Sequence, residues 1–204
     1  SLFSTKVDAP CDVMLVGVPA SRTSLSPTSA HHTPDAIRNA LLRYSSAHSD
    51  QRVNLEKLAL VDAGNISSPD DDETNSIAEL GVLAKQSSLV IALGGDNSIT
   101  YTAAKATDAT GLITLDAHYD LRDGVSNGSP VRRLIEAGLS GKKVVQIGIA
   151  DFSNSTEYAT RAKDYGITVI PRSQLRTKSI EEIWAAALSV AGDKVFVDFD
   201  MDVC

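Results

Sequence analysis

The amino-acid sequence predicts an α/β fold of three layers, in which helices cover both faces of a central, mainly parallel sheet. Apolar segments of strand length alternate with helical patterns along the chain, which is typical of a parallel sheet. The strand segments are near-continuous runs of Val, Ile, Leu and Ala, as expected for strands buried on both faces. The 204 residues contain no convincing internal boundary, so we expect a single domain over residues 1–204.

The first half of the chain opens with the apolar run CDVMLVGVP, which predicts a strand. Residues 21–33 are rich in Ser, Thr and Pro and predict a loop. Pro34 fits the first turn of a helix, where the missing N–H of proline is not needed. The acidic segment 67–73 is expected to be a solvated connection. The predicted elements are strand 11–19, a helix from Pro34, strand 58–62, helix 76–85 and strand 89–93.

The second half alternates helix and strand more regularly. Ser179 with Glu182 three residues later is a capping-box pattern, which predicts the start of the last helix. The predicted elements are helix 98–106, strand 112–115, helix 130–137, strand 144–149, helix 157–163, strand 167–170, helix 180–190 and strand 195–199. Because the chain starts at Ser1 and stops directly after a strand, we expect it to be part of a longer protein, truncated at the C-terminus.

Composition argues against several classes of protein. The formal net charge is -7 and no lysine-rich tract is present, which is unsuited to binding nucleic acid. The longest apolar runs have the length of strands, so no membrane partner is expected, and we predict a cytoplasmic protein. Cys11 and Cys204 lie at opposite ends of the chain and indicate neither a disulfide framework nor a cysteine-based metal site.

Polar clusters follow three of the predicted strands, at 94–98, 116–120 and 198–202, and a fourth candidate lies at 148–151. In open parallel sheets, ligands bind beyond the carboxyl ends of the strands, where these clusters fall. Alternate residues of an extended chain point to one side, so the side chains at 116, 118 and 120 are expected to converge. The acidic residues at 198, 200 and 202 repeat this spacing.

This concentration of charge indicates bound cations. Five carboxylates at one rim would cost several kcal/mol in repulsion and desolvation unless cations offset that cost. Two ions about 3.5–4 Å apart, bridged by shared carboxylates, would balance the charge. Carboxylates with an imidazole form a hard, mostly oxygen ligand set that suits Mn²⁺. Each motif alone could instead be a helix cap, a tautomer-fixing partner or a solvated loop.

Taken together, the motifs resemble those of a known family. GGDNS at 94–98, DAHYD at 116–120 and DFDMDVC at 198–204 occur in the order found in the arginase/agmatinase/formimidoylglutamase family, the ureohydrolases. The segment HHTPDAIRNAL also resembles that family's Pro-x-x-Ile-Arg helix. The resemblance extends from Cys11 onward, and its details are most like formimidoylglutamase. It implies an arginase-like fold, truncated after the third metal motif.

The resemblance also implies a ligand set for two Mn²⁺ ions. The implied ligands are Asp116, His118, Asp120, Asp200 and Asp202. A second register of the last motif would make Asp198 a ligand; in the preferred register it lies outside the ligand set. Asn97 stands where most members have a ligating His, and an amide oxygen is a weaker donor, so we expect one ion to bind weakly or to be absent.

Substrate recognition is implied for the loop after the second motif. Arg122 lies where arginase-like members contact an amino-acid carboxylate, although it could instead pair with Asp120 or Asp123 for a structural purpose. Asn127 replaces the proposed proton-shuttle His of agmatinases, and with Ser129 it is expected to contact substrate. Asn cannot act as a general acid or base near neutral pH, so proton transfer is expected to involve solvent, Asp120 or another group.

The implied reaction is the hydrolysis of N-formimidoyl-L-glutamate to L-glutamate and formamide, a step of histidine degradation. The alternatives are an agmatinase- or arginase-type hydrolase that releases urea from a guanidino substrate, and a degenerate, non-catalytic member. A trimeric or hexameric homo-oligomer is implied by the resemblance alone.

Overall fold

A computed structural model describes residues 2–6, 10–50 and 52–204 of the chain. The chain divides into two compact units, Ser1–Thr107 and Asp108–Cys204. Each unit contains a parallel sheet with helices, so the predicted α/β class and the parallel pairing are confirmed. The strands hydrogen-bond in two groups, one of three strands and one of four.

The first unit is built on the order β2-β1-β3. Its elements are β1 (Cys11–Val18), α1 (Thr33–Leu41), β2 (Leu60–Asn65), α2 (Glu73–Ala84), β3 (Ser87–Gly94) and α3 (Ile99–Ala106). Strand β1 is central because most of its residues are apolar and buried. Pro34 lies in the first turn of α1, as predicted.

Most elements of the first unit differ from their predicted bounds by one to three residues, and two of these differences have a local cause. Helix α2 starts three residues earlier than predicted because the Asp72 carboxylate accepts a hydrogen bond from the Asn75 N–H and caps the helix there. Strand β2 starts at Leu60 and not at Leu58, because the Leu58 N–H donates to the Leu55 carbonyl and still closes the 3-10 helix Leu55–Lys57.

The second unit has the order β6-β5-β4-β7. Its elements are β4 (Gly111–Leu115), α4 (Pro130–Glu136), β5 (Val144–Ile149), α5 (Thr156–Tyr165), β6 (Thr168–Pro171), α6 (Ile180–Ala191) and β7 (Val195–Phe199). The predicted capping box is confirmed: the Ser179 hydroxyl accepts from the Glu182 N–H, and the Glu182 carboxylate accepts from the Ser179 N–H. In the parts of the chain that are described, no helix is long and apolar enough to cross a membrane.

The core of the second unit lies between its sheet and α6. Apolar side chains of three neighbouring strands pack against one face of this helix. The buried members are Ile113, Val145, Ile147, Ile170, Ile183, Ala187 and Ala191. This packing holds β4 in place, and the segment after its carboxyl end carries the predicted ligands Asp116, His118 and Asp120.

Candidate metal centre

The carboxyl ends of β4 and β7 lie side by side in the second unit. Parallel pairing matches Leu115 with Phe199, and one residue further on the Asp200 N–H donates to the Leu115 carbonyl at 2.9 Å. On the other side of β4, the Asp116 N–H donates to the Ile147 carbonyl at 3.0 Å. Asp116 and Asp200 therefore leave neighbouring strands at the same level, at the edge of the sheet where ligands bind in such folds.

Three side chains meet at this edge. Asp116, His118 and Asp202 each offer a ligand atom, and these atoms lie within 4.8 Å of one another. His118 Nδ1 is 2.9 Å from Asp202 Oδ2 and 3.6 Å from Asp116 Oδ1. The second carboxylate oxygen of Asp202 accepts a hydrogen bond from the Ala117 N–H at 3.1 Å. Two carboxylates and an imidazole form a group that can hold a hard divalent ion.

Asp116 is the most deeply buried member of the group, with 1% of its surface exposed. One carboxylate oxygen accepts from the His118 N–H at 2.6 Å, while the other, Oδ2, is buried without a hydrogen-bond donor among the described residues. Burial, followed by repulsion from Asp120 and from Asp200, raises the pKa of the Asp116 carboxyl far above its ordinary value. A bound cation would neutralise the charge that this environment penalises, so the site fits a metal ion.

Two further predicted ligands surround this carboxylate. Asp120 is buried, and its backbone has a φ of 54°. Asp200 accepts from the Asp202 N–H at 3.1 Å, and burial raises the pKa of its carboxyl. Asp198 pairs with Thr114 inside the sheet, two residues before Asp200. The preferred alignment of the last motif, in which Asp198 is not a ligand, stays a prediction.

The sequence predicts an extended backbone through both acidic motifs, 116–120 and 198–202. This prediction is wrong for the residues that follow the ends of β4 and β7. Strand β4 ends at Leu115, and the backbone of Asp120 is left-handed. Strand β7 ends at Phe199, and Met201–Val203 form a 3-10 turn. Beyond the last ladder pair, no neighbouring strand keeps the backbone extended. The ligand atoms therefore meet through turns and not through the alternation of a strand.

The motif GGDNS lies in the first unit, directly after β3. Gly95 is required there because a Cβ would lie 2.0 Å from the Ala20 carbonyl oxygen. Asp96 is buried, and its carboxylate accepts from serine hydroxyls. Asn97 is half-buried, and its amide oxygen accepts from the Thr100 hydroxyl at 3.1 Å. Asp96 holds this turn together, and metal binding by Asn97 stays a prediction.

Residues 121–129 form a loop between the second motif and α4. Arg122 is exposed, with its guanidinium carbon 5.9 Å from the centroid of the Tyr158 ring. Asn127 is half-buried. Ser129 is fully buried, and its hydroxyl donates to the Ser126 carbonyl at 2.8 Å and accepts from the Ser126 N–H at 2.9 Å. The contacts of Ser129 shape the loop from inside.

Two arginines that sequence reasoning missed, Arg132 on α4 and Arg161 on α5, bind this loop. The buried guanidinium of Arg132 donates to the Arg122 carbonyl at 2.5 Å and to the Gly124 carbonyl. Arg161 on α5 donates to the Asp123 carboxylate at 2.7 Å, which lowers the pKa of that carboxyl. Asp123 therefore pairs with Arg161, and Arg122 has no ion pair within the described ranges. The contact of the Arg122 side chain that the structure shows is with the face of the Tyr158 ring.

Comparison with known proteins places this geometry in a family. The family model described as the arginase family matches residues 11–204. The chain belongs to the arginase family. A formimidoylglutamase from Halalkalibacterium halodurans is 35% identical over 207 residues, which cover 93% of this chain and 65% of the relative. The chain thus spans about two thirds of the length of this relative.

Solved structures of arginase-family proteins match the fold. The crystal structure of formimidoylglutamase from Bacillus subtilis superposes with a TM-score of 0.90 at 30% identity, covering 98% of this chain and 68% of that one. A Trypanosoma cruzi formiminoglutamase with Mn²⁺ has a TM-score of 0.88 at 25% identity, covering 99% of this chain and 74% of that one. The arginase-like fold predicted from the motifs is confirmed.

Proposed function

We propose that this chain is part of a manganese-dependent hydrolase that cleaves N-formimidoyl-L-glutamate to L-glutamate and formamide. Water adds to the amidine carbon, a C–O bond forms there, and the bond from that carbon to the glutamate nitrogen breaks. One proton of the water goes to the departing amine, and the other goes to the imino nitrogen, which becomes the amide nitrogen of formamide. The observation that carries the proposal is the Asp116, His118 and Asp202 group, at the edge of a fold shared with formimidoylglutamases.

The donor set fits two Mn²⁺ ions. Asp116, His118 and Asp202 supply three ligands, and Asp120 and Asp200 lie close enough to Asp116 to act on its charge. The Oδ2 atom of Asp116 is buried and accepts no hydrogen bond from the described residues, so a cation could bind it. When bound, the ions supply positive charge that acidifies water and stabilises negative charge developing on the substrate. Asn97 stays a candidate ligand implied by its motif, with an amide oxygen that is a weaker donor than an imidazole.

The side chains near the metal centre orient water, bind substrate and support the loop. The Asp120 carboxylate accepts a hydrogen bond from the attacking water and orients it toward the amidine carbon. The Arg122 guanidinium binds a substrate carboxylate in a charge-assisted pair, for which it is suited because no ion pair with another described residue competes: its neighbour Asp123 pairs with Arg161. Asn127 hydrogen-bonds substrate from the same loop. Ser129 supports the loop, because its buried hydroxyl is already used within it.

The choice of substrate depends on Arg122. N-formimidoyl-L-glutamate carries two carboxylates, whereas agmatine carries none, so a free guanidinium at the site favours the former. We further propose a homo-oligomer, trimeric or hexameric, as the assembly of the full-length protein.

The direct test is formamide release from N-formimidoyl-L-glutamate by the full-length, Mn²⁺-loaded protein. We expect formamide well above the level of an Asp116→Ala variant, and little urea from agmatine or arginine assayed in parallel. Urea release that exceeds formamide release would indicate a guanidino hydrolase. Neither product, together with near-zero Mn²⁺ bound at micromolar metal, would indicate a non-catalytic member.

A further inference from the structure

Asn154 makes two contacts with the segment that carries His118. Asn154 lies in the turn between β5 and α5 and is half-buried. Its amide nitrogen donates to the Ala117 carbonyl at 2.9 Å, and its amide oxygen accepts from the Tyr119 N–H at 3.1 Å. These two backbone groups lie on either side of His118. One side-chain amide therefore pairs with the backbone as a neighbouring strand would.

The segment needs such partners because it has left the sheet. Strand β4 ends at Leu115, so residues 117–119 have no ladder to hold them. Gln146, fully buried on β5, donates to the Tyr119 carbonyl at 3.0 Å. The Ala117 carbonyl also accepts from the Ala150 N–H at 3.0 Å, so it keeps a partner without Asn154. Among the described residues, the Asn154 amide oxygen is the only acceptor for the Tyr119 N–H, so this N–H loses its partner when Asn154 is replaced.

The ring of His118 gains little orientation from packing. Its side chain is 48% exposed, whereas that of Asp116 is 1% exposed. Besides the 2.9 Å contact of its Nδ1 with Asp202 Oδ2, the direction of the imidazole therefore depends on the backbone that carries it. Side chains that fix a metal ligand from behind typically change metal affinity by about 10- to 100-fold when they are removed.

We propose that Asn154 is a positioning residue for the metal centre, which fixes the backbone on both sides of His118 and so sets its imidazole toward Asp116 and Asp202. This inference rests on the metal site of the proposed function. In this role Asn154 contacts neither metal nor substrate. Its effect is transmitted through the Ala117 and Tyr119 peptide groups.

The test compares Asn154→Ala with Ser153→Ala in the full-length protein. Ser153 is an exposed neighbour in the same turn, so its variant controls for disturbance of the turn itself. The first readout is amide hydrogen exchange at Tyr119 in metal-free protein, resolved by NMR. The second is the Kd for Mn²⁺, measured from free Mn²⁺ by electron paramagnetic resonance. Thermal melting of the metal-free variants separates a general loss of stability from a local effect.

For Asn154→Ala we expect faster exchange at Tyr119 and a Kd raised roughly 10- to 100-fold, with Ser153→Ala unchanged in both. Asn154→Asp keeps an acceptor for the Tyr119 N–H and should restore its protection. If Asn154→Ala does not fold, Asn154→Leu, similar in shape but without hydrogen-bonding atoms, replaces it.

Two results overturn the inference: unchanged exchange at Tyr119, or a Kd within about twofold of the wild type, well short of the expected loss. A wild-type protein that binds no Mn²⁺ would instead overturn the proposed function, and the exchange data would still report whether Asn154 holds the segment.

Discussion

Replacing Asp116 by Asn should stabilise the metal-free protein while abolishing tight Mn²⁺ binding. The carboxylate is 1% exposed, and burial together with repulsion from Asp120 and Asp200 raises its pKa. In the folded, metal-free protein this group therefore keeps its proton at a pH where the unfolded chain has lost it. An amide has nearly the same shape and no charge, so it avoids this cost.

The sign and size of the effect follow from linkage. The folded pKa lies above the unfolded value of about 3.9. Between the two values the folded state binds more protons, so the stability of the wild type falls as pH rises, by at most about 1.4 kcal/mol per pH unit. The interval between the unfolded pKa and pH 7 is roughly three pH units. The free energy of unfolding of the variant can therefore exceed that of the wild type by at most about 4 kcal/mol at about pH 7.

The assay is urea unfolding of both proteins with a chelator at pH 5, 6, 7 and 8. The difference in free energy of unfolding, variant minus wild type, should grow with pH across this range. Asp123→Asn is the matched control: Asp123 is exposed, its pKa is lowered by Arg161, and its loss should destabilise. Added Mn²⁺ should stabilise the wild type but not the Asp116 variant. A difference that is flat with pH, or a variant less stable than the wild type at pH 8, would refute the reasoning.

Three further predictions concern substrate, backbone and helix cap. Arg122→Gln should raise KM for N-formimidoyl-L-glutamate roughly 10- to 150-fold, since a charge-assisted bond contributes about 1.5–3 kcal/mol, and steady-state kinetics checks this against kcat. Gly148→Ala should destabilise by about 1–3 kcal/mol, because φ is 100° and the new Cβ would lie 2.4 Å from Val203 Cγ2; an unchanged Tm contradicts it. Ser179→Ala should cost about 1 kcal/mol in chemical unfolding through loss of the capping box, and Ser189→Ala, late in α6, serves as its control.

Local patterns in the sequence were sufficient for most of the secondary structure. Strand β5 has its predicted bounds, and α6 starts at the predicted capping box. Both depend on neighbours in the chain: an apolar run of strand length, and a serine three residues before a glutamate. The bounds of α2 differed where a cap at Asp72 was not recognised, although its signal was present in the sequence.

The residues that hold the candidate site together left no such signal. Arg161 contacts Asp123 across 38 positions, and Asn154 contacts Tyr119 across 35. A side chain that binds a distant backbone group or loop carboxylate has no characteristic spacing, so sequence reasoning could not find either residue.

The sequence by itself determined the fold class, the family motifs and the residue types that could hold a metal ion. It could do so because alternation, capping and motif order are properties of neighbouring positions. Only the tertiary structure decided that β7 pairs with β4, that Asp200 follows its strand level with Asp116, and that turns bring Asp202 to His118. Those features depend on the pairing of strands far apart in the chain and on backbone that leaves the sheet, and packing fixes both after the local elements have formed.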